Sequence, residues 1–533
     1  MVSRSIGERL GPERVRDLIA FASGLVFAAS TPPFDVTPGI LVGLGLFAFS
    51  RPSAKRGFLF GLAANLEALR FVPDVIGRFT DLARPLGWLA LVLLSAAQAL
   101  PWLAGGALTR RLVTRRGIPA ALAFAIGVYM ATLIPAVFPW TPAGGISGWP
   151  ILLQSAEAIG ERGVSFVLAF GCASLIEGAA PLHPARDRYQ EREDAFLVRR
   201  SLCWLALGIA TFAVLLGYGA VRMHTIDGER AAAPHAKVAL IQPDFDAMMR
   251  TEEDAAPQMM RRLTNLTLTA EAQGAELTVW PESAYPYTLK HGVTREPSDH
   301  RAIFGRGPTN HARGPTKPIL TGAYLTKGSG VGTNSALLVY PDHTIARSYD
   351  KRHLLWFGET IPLASQLPIL RKVFARGTGL DAGTESVPLE TGLIIASVLN
   401  CYEDTLPLAG REAMAAHPNL LVNVTNDAWF AGTAESELHL RTAVPRAIET
   451  RRDLVRAVNR GPTTWVDANG RIVRRAESAP GLGPPPPLVA EPALLSRPLT
   501  LYTRAGEAPL LLVLFGAVLG LALRKSSSQA KVA

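Results

Sequence analysis

Val398-Leu399-Asn400-Cys401-Tyr402-Glu403 is the stretch around which this chain is organised. An apolar and largely β-branched run from Leu393 to Leu399 precedes the cysteine and predicts a buried strand. Cys401 then falls at the end of that strand, and a charged residue follows two positions later. A cysteine at a strand end is a candidate nucleophile, although a single cysteine is more often a small buried apolar residue. The rest of the chain has to decide between these two interpretations.

The composition is typical of a membrane protein. Of the 533 residues, 48% are apolar and only 18% are charged. The length allows about two to four domains. The three cysteines show neither a paired spacing nor a metal-ligand pattern, and two of them, Cys172 and Cys203, lie inside apolar segments. We therefore predict no disulfide framework and no zinc site.

Eight apolar segments predict transmembrane helices. They lie near residues 15–30, 37–50, 57–74, 86–108, 118–138, 163–180, 202–221 and 508–523. The first segment follows a basic stretch and could be a signal peptide, but further apolar segments follow closely and favour a retained helix.

The basic residues orient these segments. They cluster in alternate connections, after the second, fourth, sixth and eighth segments, as in Arg51, Lys55, Arg56, Arg110, Arg111, Arg186, Arg188, Arg524 and Lys525. With eight spans all of these connections lie on one side, which the positive-inside rule assigns to the cytoplasm. Both termini are then cytoplasmic and residues 225–500 face outward. The net charge of +10 is explained by this pattern, so we predict no nucleic-acid binding.

Residues 225–500 predict an α/β domain between a membrane domain at 1–224 and a C-terminal helix and tail at 501–533. Residues 256–272 and 437–452 predict helices. Residues 283–317 form a long connection that is either an active-site lid or disordered, and the proline-rich 478–487 predicts a stiff linker back to the membrane. Strands are predicted at 237–241, 276–280, 318–324, 335–340, 393–399, 420–424 and 463–466.

Three reactive side chains follow three of these strands: Glu282, Lys351 and Cys401. Strand ends on one side of a sheet converge, so the three side chains are predicted to share one pocket. A thiol near its ordinary pKa is mostly protonated, and Glu282 can act as its general base. Attack on an acyl carbonyl creates an oxyanion, which Lys351 and the backbone N–H of Tyr402 can stabilise. For Glu282 and Lys351 alone, a solvated salt bridge is the alternative.

Trp280-Pro281-Glu282, Asp350-Lys351 and Cys401-Tyr402-Glu403 resemble the Glu-Lys-Cys motifs of the nitrilase superfamily. Further segments, in the right order, are similar to one of its branches, the apolipoprotein N-acyltransferases. These segments are Pro33-Phe34-Asp35, Gly57 to Gly61, Phe138-Pro139-Trp140, Phe357-Gly358-Glu359, Asn426 to Phe430, His439, Arg446 to Glu449, Arg456 and Asn459-Arg460-Gly461.

The resemblance implies an αββα sandwich carried by an α-helical membrane bundle of about eight transmembrane helices. It implies that a phospholipid such as phosphatidylethanolamine acylates Cys401, and that the thioester passes the chain to the α-amino group of a lipoprotein's N-terminal S-diacylglyceryl cysteine. It further implies no metal and no cofactor, and a bacterial inner-membrane protein whose catalytic domain faces the periplasm. We expect a monomer.

The resemblance also implies roles for further residues. Glu359, Glu403, Asn334 and Tyr402 are expected to support the triad or shape the pocket, with a buried structural network as the alternative for both glutamates. Trp280, Trp356, Phe357 and Trp429 are expected to bind substrate. For Trp356, Phe357, Tyr285 and Tyr287 an interfacial rim and a core position are equally open. The chain departs from the family pattern at Trp356, Asn400, Ala431 and Leu438, outside the triad.

Two other functions fit parts of the sequence. A membrane-tethered amidase with the same triad would use water, rather than an amine, to resolve the thioester. A silent binding or scaffold protein would not acylate Cys401 at all. The match in the membrane segments favours acyl transfer, because a hydrolase would not need it.

Overall fold

The computed structural model describes residues 11–79, 83–179, 191–247, 249, 254–305, 314–328, 332–356, 358–361, 366, 379–478 and 482–530, with the backbone only at 79, 191–198 and 522–530. The chain divides into two compact units. We call Met1–Arg222 with Ala505–Ala533 the helical unit and Met223–Arg504 the sheet unit.

Helices dominate the described part of the helical unit, and each of the predicted apolar segments coincides with one of them. Proline occupies the first turn of several helices, where its missing N–H leaves no hydrogen bond unmade. The helices are Pro12–Ala28, Gly39–Phe49, Ala54–Ala68, Val72–Phe79, Arg84–Arg111 with a π-helical turn at Leu112–Arg116, Ala120–Leu133, Pro142–Gly145, Ala156–Ala179, Glu191–Ala232 and Ala508–Ala530, with a 3-10 turn at Pro150–Leu153.

Three described helical segments are long and apolar enough to cross a membrane: Arg84–Arg116, Ala156–Ala179 and Arg199–Ala232. Three further apolar helices are shorter: Gly39–Phe49, Ala120–Leu133 and Ala508–Leu521. The structure therefore supports a protein with membrane-spanning helices, and the number eight stays a prediction.

Glycine permits a close helix contact in the helical unit. A Cβ at Gly57 would lie 2.1 Å from the backbone oxygen of Trp102, and one at Gly106 would lie 2.3 Å from that of Ser53. Small residues let helix backbones approach in this way. Beside the contact, the ring of Phe60 lies 4.7 Å from that of Trp102, edge to face. A larger side chain at either glycine would separate the helices.

The sheet unit contains two sheets. The first has strands in the order β13-β1-β2-β4-β5-β6, with β3 beside β4, and the second has the order β12-β11-β10-β9-β8-β7. The strands are β1 Val238–Leu240, β2 Leu277–Val279, β3 Leu289–Lys290, β4 Ile319–Thr326, β5 Gly332–Val339, β6 Tyr349–Asp350, β7 Leu389–Thr391, β8 Ile394–Asn400, β9 Leu420–Asn426, β10 Leu454–Asn459, β11 Thr463–Val466, β12 Ile472–Ala476 and β13 Leu488–Ala490.

Three apolar layers show how the sheets are stacked. Leu240 and Val422 belong to a cluster shared by both sheets. On the other face of the first sheet, Ile241 packs with residues of the helix Ala255–Ala272. On the other face of the second sheet, Leu421 packs with residues of the helices Pro407–Ala413 and Glu435–Thr450. Because successive side chains of a strand point to opposite faces of the sheet, neighbouring residues such as Leu421 and Val422 pack in different layers. The result is the predicted αββα sandwich.

The structure differs from the sequence prediction at the end of the sheet unit. Residues 478–487 were expected to lead straight back to the membrane. Instead, the chain enters β13, which pairs antiparallel with β1 from Val238↔Ala490 to Leu240↔Leu488. The helices Leu501–Ala505 and Ala508–Ala530 come only afterwards. The short apolar segment Leu488–Ala490 thus completes the edge of the first sheet.

Candidate active site

Cys401 directly follows β8 and begins the 3-10 turn Cys401–Thr405. Its φ is 52°, in the left-handed region that side-chain-bearing residues rarely adopt. Most of β8 is buried, which fixes the strand and holds the turn against this strain. Backbone strain of this kind is concentrated at functional sites. Cys401 itself is only partly buried, so its thiol is partly accessible at the end of the strand.

Glu282 lies three residues beyond the end of β2 and is 7% exposed. Its Oε1 accepts a hydrogen bond from Nδ2 of Asn334 at 2.7 Å. Its Oε2 accepts one from the backbone N–H of Asn426 at 2.9 Å. Asn334 belongs to the first sheet and Asn426 to the second. The carboxylate is therefore fixed between the two sheets.

Lys351 directly follows β6 and is almost completely buried. Its backbone N–H donates to the carbonyl of Asn334 at 2.8 Å. Its Nζ lies 2.8 Å from Oε2 of Glu359 and 3.4 Å from Oε1 of Glu282. The ammonium thus sits between two carboxylates. A solvated surface salt bridge, the alternative considered from the sequence, does not describe this pair.

Electrostatics couple the three triad residues. Burial disfavours the charged lysine, but the carboxylates of Glu359 and Glu282 outweigh it and raise the pKa of Lys351 above its ordinary value. Burial and the charge of Glu282 raise the pKa of Cys401, against the opposing effect of Lys351. Lys351 is consequently a permanent cation. The resting nucleophile is a thiol, which needs a base before it can attack.

Glu359 contacts Lys351, and Asn334 contacts both Glu282 and Glu359. Nδ2 of Asn334 donates to both Glu282 and Glu359, at 2.7 and 2.8 Å. Oε2 of Glu359 also accepts the N–H of Leu355 at 3.0 Å. Although burial opposes ionisation, the charge of Lys351 and these hydrogen bonds lower the pKa of Glu359. The lysine is therefore held by an ionised carboxylate whose position is itself fixed.

Glu403 ties the cysteine turn to the lysine segment. It is completely buried. Its Oε1 accepts the backbone N–H groups of Arg352 and His353 at 2.8 and 3.0 Å. Its Oε2 accepts the Tyr349 hydroxyl at 2.8 Å and the N–H of Asn400 at 2.7 Å. Burial is the main cause that raises its pKa. These contacts are those of a positioning residue.

Tyr402 follows the nucleophile and is half-buried. Burial raises the pKa of its phenol to about 12, so the side chain is neutral. Its carbonyl accepts the Thr405 hydroxyl at 2.7 Å, which closes the turn. The backbone N–H of Tyr402 stays our predicted second oxyanion donor.

The structure corrects the predicted role of Trp280. Its side chain is completely buried, and its Nε1 donates to the Thr267 hydroxyl of the helix Ala255–Ala272 at 2.9 Å. The physical reason is the alternation along the chain, which turns Val279 towards the inner layer and Trp280 towards the helix. In place of the predicted substrate-binding position, Trp280 occupies a core position in the layer beside this helix.

The other aromatic predictions have mixed outcomes. Trp356 and Trp429 are 48% and 36% exposed, which leaves both accessible to a substrate. Phe357 lies outside the described residues. Tyr285 is buried in the layer beside the helix Ala255–Ala272, and its hydroxyl donates to the carbonyl of Arg301 at 2.8 Å. Its ring packs edge to face on Tyr287, which is only partly buried.

Sequence reasoning missed two contributors to the site. Asn426 lies in a segment that carries the family resemblance, but it acts through its backbone N–H, which any residue except proline offers, so its side-chain identity does not indicate this role. Asn400 donates from Nδ2 to Oδ1 of Asn334 at 3.2 Å. Its signal was available: a polar residue at the end of an otherwise apolar strand. The departure at Asn400 therefore adds a link to the network around Glu282.

A buried carboxylate and ammonium with a partly buried thiol, at the strand ends of an αββα sandwich, define a domain of the carbon-nitrogen hydrolase type, as in the nitrilase superfamily. Residues 237–481 match the family model "Carbon-nitrogen hydrolase", and residues 23–174 match "Apolipoprotein N-acyltransferase N-terminal domain". The chain belongs to the apolipoprotein N-acyltransferase family.

Relatives that align with most of this chain support the assignment. The apolipoprotein N-acyltransferase of Geobacter metallireducens is 30% identical over 473 residues, covering 85% of this chain and 86% of the relative. That of Bradyrhizobium diazoefficiens is 29% identical, covering 96% and 95%. Among solved structures, an amidase from Nesterenkonia sp. is 19% identical with a TM-score of 0.36, covering 52% of this chain and 95% of that one. The predicted resemblance is confirmed, the protein is an acyltransferase, and the amidase interpretation is not favoured.

Proposed function

We propose that this protein moves a fatty acyl chain from a phospholipid, such as phosphatidylethanolamine, to the α-amino group of the N-terminal S-diacylglyceryl cysteine of lipoproteins. The chain is carried in between as a thioester on Cys401. The observation that supports this most directly is the buried ammonium of Lys351 beside Glu282 and the strained cysteine turn. Family membership selects a lipid-linked acyl group and an amine as the two substrates.

In the first half-reaction, Glu282 takes the proton of the Cys401 thiol and the sulfur attacks the ester carbonyl of the phospholipid. The pKa of the thiol is raised, so this proton transfer has to accompany the attack. Lys351 and the N–H of Tyr402 stabilise the oxyanion. Glu282 then returns the proton to the departing glycerol oxygen, and the lysophospholipid leaves. One C–O bond breaks and one C–S bond forms.

In the second half-reaction, the amine of the lipoprotein attacks the thioester. Glu282 accepts a proton from the attacking nitrogen, and the same two donors hold the oxyanion. The sulfur leaves and recovers a proton from Glu282, which restores the resting thiol. Asn334 and Asn426 hold the Glu282 carboxylate in place through both halves. One carboxylate therefore serves as base and acid in turn.

The placement in the membrane is part of the proposal. We propose a monomer of the bacterial inner membrane with eight spans, cytoplasmic termini and residues 225–500 in the periplasm. The alternation of basic connections supports this orientation. Both substrates are anchored in lipid, so the site has to open at the bilayer surface. The exposed rings of Trp356 and Trp429 are suited to that level.

The test uses the full-length protein in phospholipid nanodiscs that contain alkyne-tagged phosphatidylethanolamine. We expect a covalent adduct on the wild type and on the control variant Cys203→Ser, which removes an exposed cysteine, and none on Cys401→Ser. Adding a diacylated lipopeptide should discharge the adduct to N-acyl peptide. Free fatty acid without N-acyl peptide would establish hydrolysis instead, and an adduct that survives in Cys401→Ser would overturn the role of this cysteine.

A further inference from the structure

A second cluster of ligand-type side chains lies beside the triad. It consists of Asp427, directly after β9, and of Glu435 and His439 on the helix Glu435–Thr450. All three residues are buried, and one ligand atom from each lies within 4.8 Å of the other two. Residues four apart share one face of a helix. Glu435 and His439 are therefore turned together towards Asp427.

Two carboxylate oxygens in this cluster lack a partner. Oδ2 of Asp427 and Oε2 of Glu435 have no hydrogen-bond partner among the described residues. The two residues are 0% and 7% exposed, so bulk water does not serve either oxygen. Buried polar atoms are nearly always paired, and leaving one unpaired costs about 1–3 kcal/mol. The two oxygens are unfilled acceptor positions to which a cation can bind, while Nη1 and Nη2 of Arg456 are unfilled donor positions of the same cluster.

The surroundings of His439 resemble the outer shell of a metal site. Its Nδ1 faces Oδ1 of Asp427 at 3.2 Å, and its Nε2 lies 2.9 Å from Oδ1 of Asp404. Oδ2 of Asp404 in turn accepts a hydrogen bond from the Nε–H of Arg456 at 2.9 Å. A metal-ligating histidine commonly donates its second N–H to a carboxylate, which fixes the ring and its tautomer. Asp404 and Arg456 supply that arrangement here.

Charge balance around the cluster also favours a cation. Three carboxylates, those of Asp404, Asp427 and Glu435, lie around His439, and among the described residues Asp404 is paired with the guanidinium of Arg456 at 2.9 Å. With a neutral imidazole at His439, one divalent cation would balance the two remaining carboxylates.

We propose that Asp427, Glu435 and His439 bind one divalent transition-metal ion. One imidazole nitrogen with carboxylate oxygens suits Zn²⁺ or Mn²⁺ better than Mg²⁺ or Ca²⁺, which prefer oxygen alone. Such an ion joins the turn that begins at Cys401, through Asp404, to the turn after Asn426. None of its three proposed ligands belongs to the triad, so its proposed role is to position the nucleophile and the base. The site stands or falls independently of the acyl-transfer proposal.

The test measures Zn²⁺ binding to the full-length protein in detergent after treatment with EDTA. A chromophoric chelator competes for the ion, and X-ray absorption reports the ligands. We expect about one Zn²⁺ per chain with nitrogen and oxygen neighbours at about 2.0–2.2 Å. Glu435→Gln should weaken binding at least about tenfold. The control Glu437→Gln, on the same helix but paired with Arg441 and Arg475, should leave affinity unchanged.

Two further variants and a calorimetric measurement complete the test. His439→Gln should weaken binding as Glu435→Gln does, which covers the case that either variant fails to fold. Cys401→Ser should retain the ion, because the thiol is not one of the proposed ligands. Calorimetry in two buffers should show about one to two protons released per Zn²⁺ bound. Equal affinity in Glu435→Gln and the wild type, sulfur in the first coordination shell, or a wild type that holds no ion would overturn the proposal.

Discussion

Glu282→Gln separates two effects that the Glu282 carboxylate exerts on Cys401. The carboxylate accepts hydrogen bonds from Asn334 on one oxygen and from Asn426 on the other. Glutamine keeps one acceptor oxygen. If that oxygen stays towards Asn334, the new NH₂ faces the N–H of Asn426, and two donors meet. We therefore expect the free energy of unfolding to fall by about 1–3 kcal/mol, which leaves the protein folded.

The two effects on Cys401 have opposite directions. Loss of a general base typically slows a reaction by about 10²–10⁴-fold, or about 3–5 kcal/mol in the barrier, so acylation by phospholipid should slow by this factor. After burial itself, the charge of Glu282 is the largest cause that raises the pKa of the thiol. Removing that charge should lower the pKa of Cys401, so that a thiolate forms at lower pH.

Two assays on one variant test this reasoning. The rate of adduct formation with alkyne-tagged phosphatidylethanolamine reports the base, and iodoacetamide alkylation of Cys401 across a pH series reports the thiol. We expect slow acylation together with an alkylation profile shifted to lower pH. The matched control is Glu385→Gln, which removes an exposed carboxylate paired with Arg347 and should alter neither. Acylation near the wild-type rate, or a profile shifted to higher pH, would refute the assignment of Glu282.

Three further perturbations have defined outcomes. Glu403→Gln leaves two of four buried donors facing an amide, so thermal denaturation should show a loss of about 1–3 kcal/mol and lipid adduct assays a slower acylation. Asp453→Asn breaks the buried pair with Arg230 at 2.9 Å and should cost about 3–5 kcal/mol in chemical denaturation. The lowered pKa of Glu359 means that its stabilisation is present above its ordinary pKa and is lost as the pH falls through the lowered one. Glu359→Gln should therefore flatten the acid side of a plot of Tm against pH.

Each of these has its own control and contrary result. For Asp453→Asn the control is Asp299→Asn, whose exposed pair with Arg301 is screened by solvent and should contribute little to stability. Equal losses of stability in both variants would contradict the buried-pair argument. For Glu403→Gln, acylation at the wild-type rate would contradict its positioning role. An unchanged acid limb in Glu359→Gln would show that Lys351 does not lower the pKa of Glu359.

Long apolar runs made much of the fold predictable. The predicted strands at 393–399 and 420–424 correspond to β8 and β9, since burial on both faces requires continuous apolar sequence. β6 has two residues and β13 has three, which is too short for any periodicity. β10 contains Arg456 and Asn459, both buried through tertiary partners. Because such polar residues interrupt the apolar pattern, a core strand that contains them is not recognised from the sequence.

The sequence allowed prediction of those site residues that follow the ends of strands. Glu282, Lys351 and Cys401 each follow a strand, and the structure brings Glu282 and Lys351 within 3.4 Å. Trp280 was misjudged because its neighbour in the triad motif faces the site, while alternation turns Trp280 itself away. The pairing of His439 with Asp404 joins residues 35 positions apart, and no local pattern records that separation.

The pairing of β13 with β1 has a consequence for how such a protein is assembled. The register Val238↔Ala490, extended by the bridge His235↔Ala493, brings the two ends of the sheet unit side by side. A module whose entrance and exit coincide can be spliced into a host chain at a single connection without stretching it. The sheet unit, Met223–Arg504, is one continuous segment flanked in sequence by both parts of the helical unit, so it occupies a single connection of that unit.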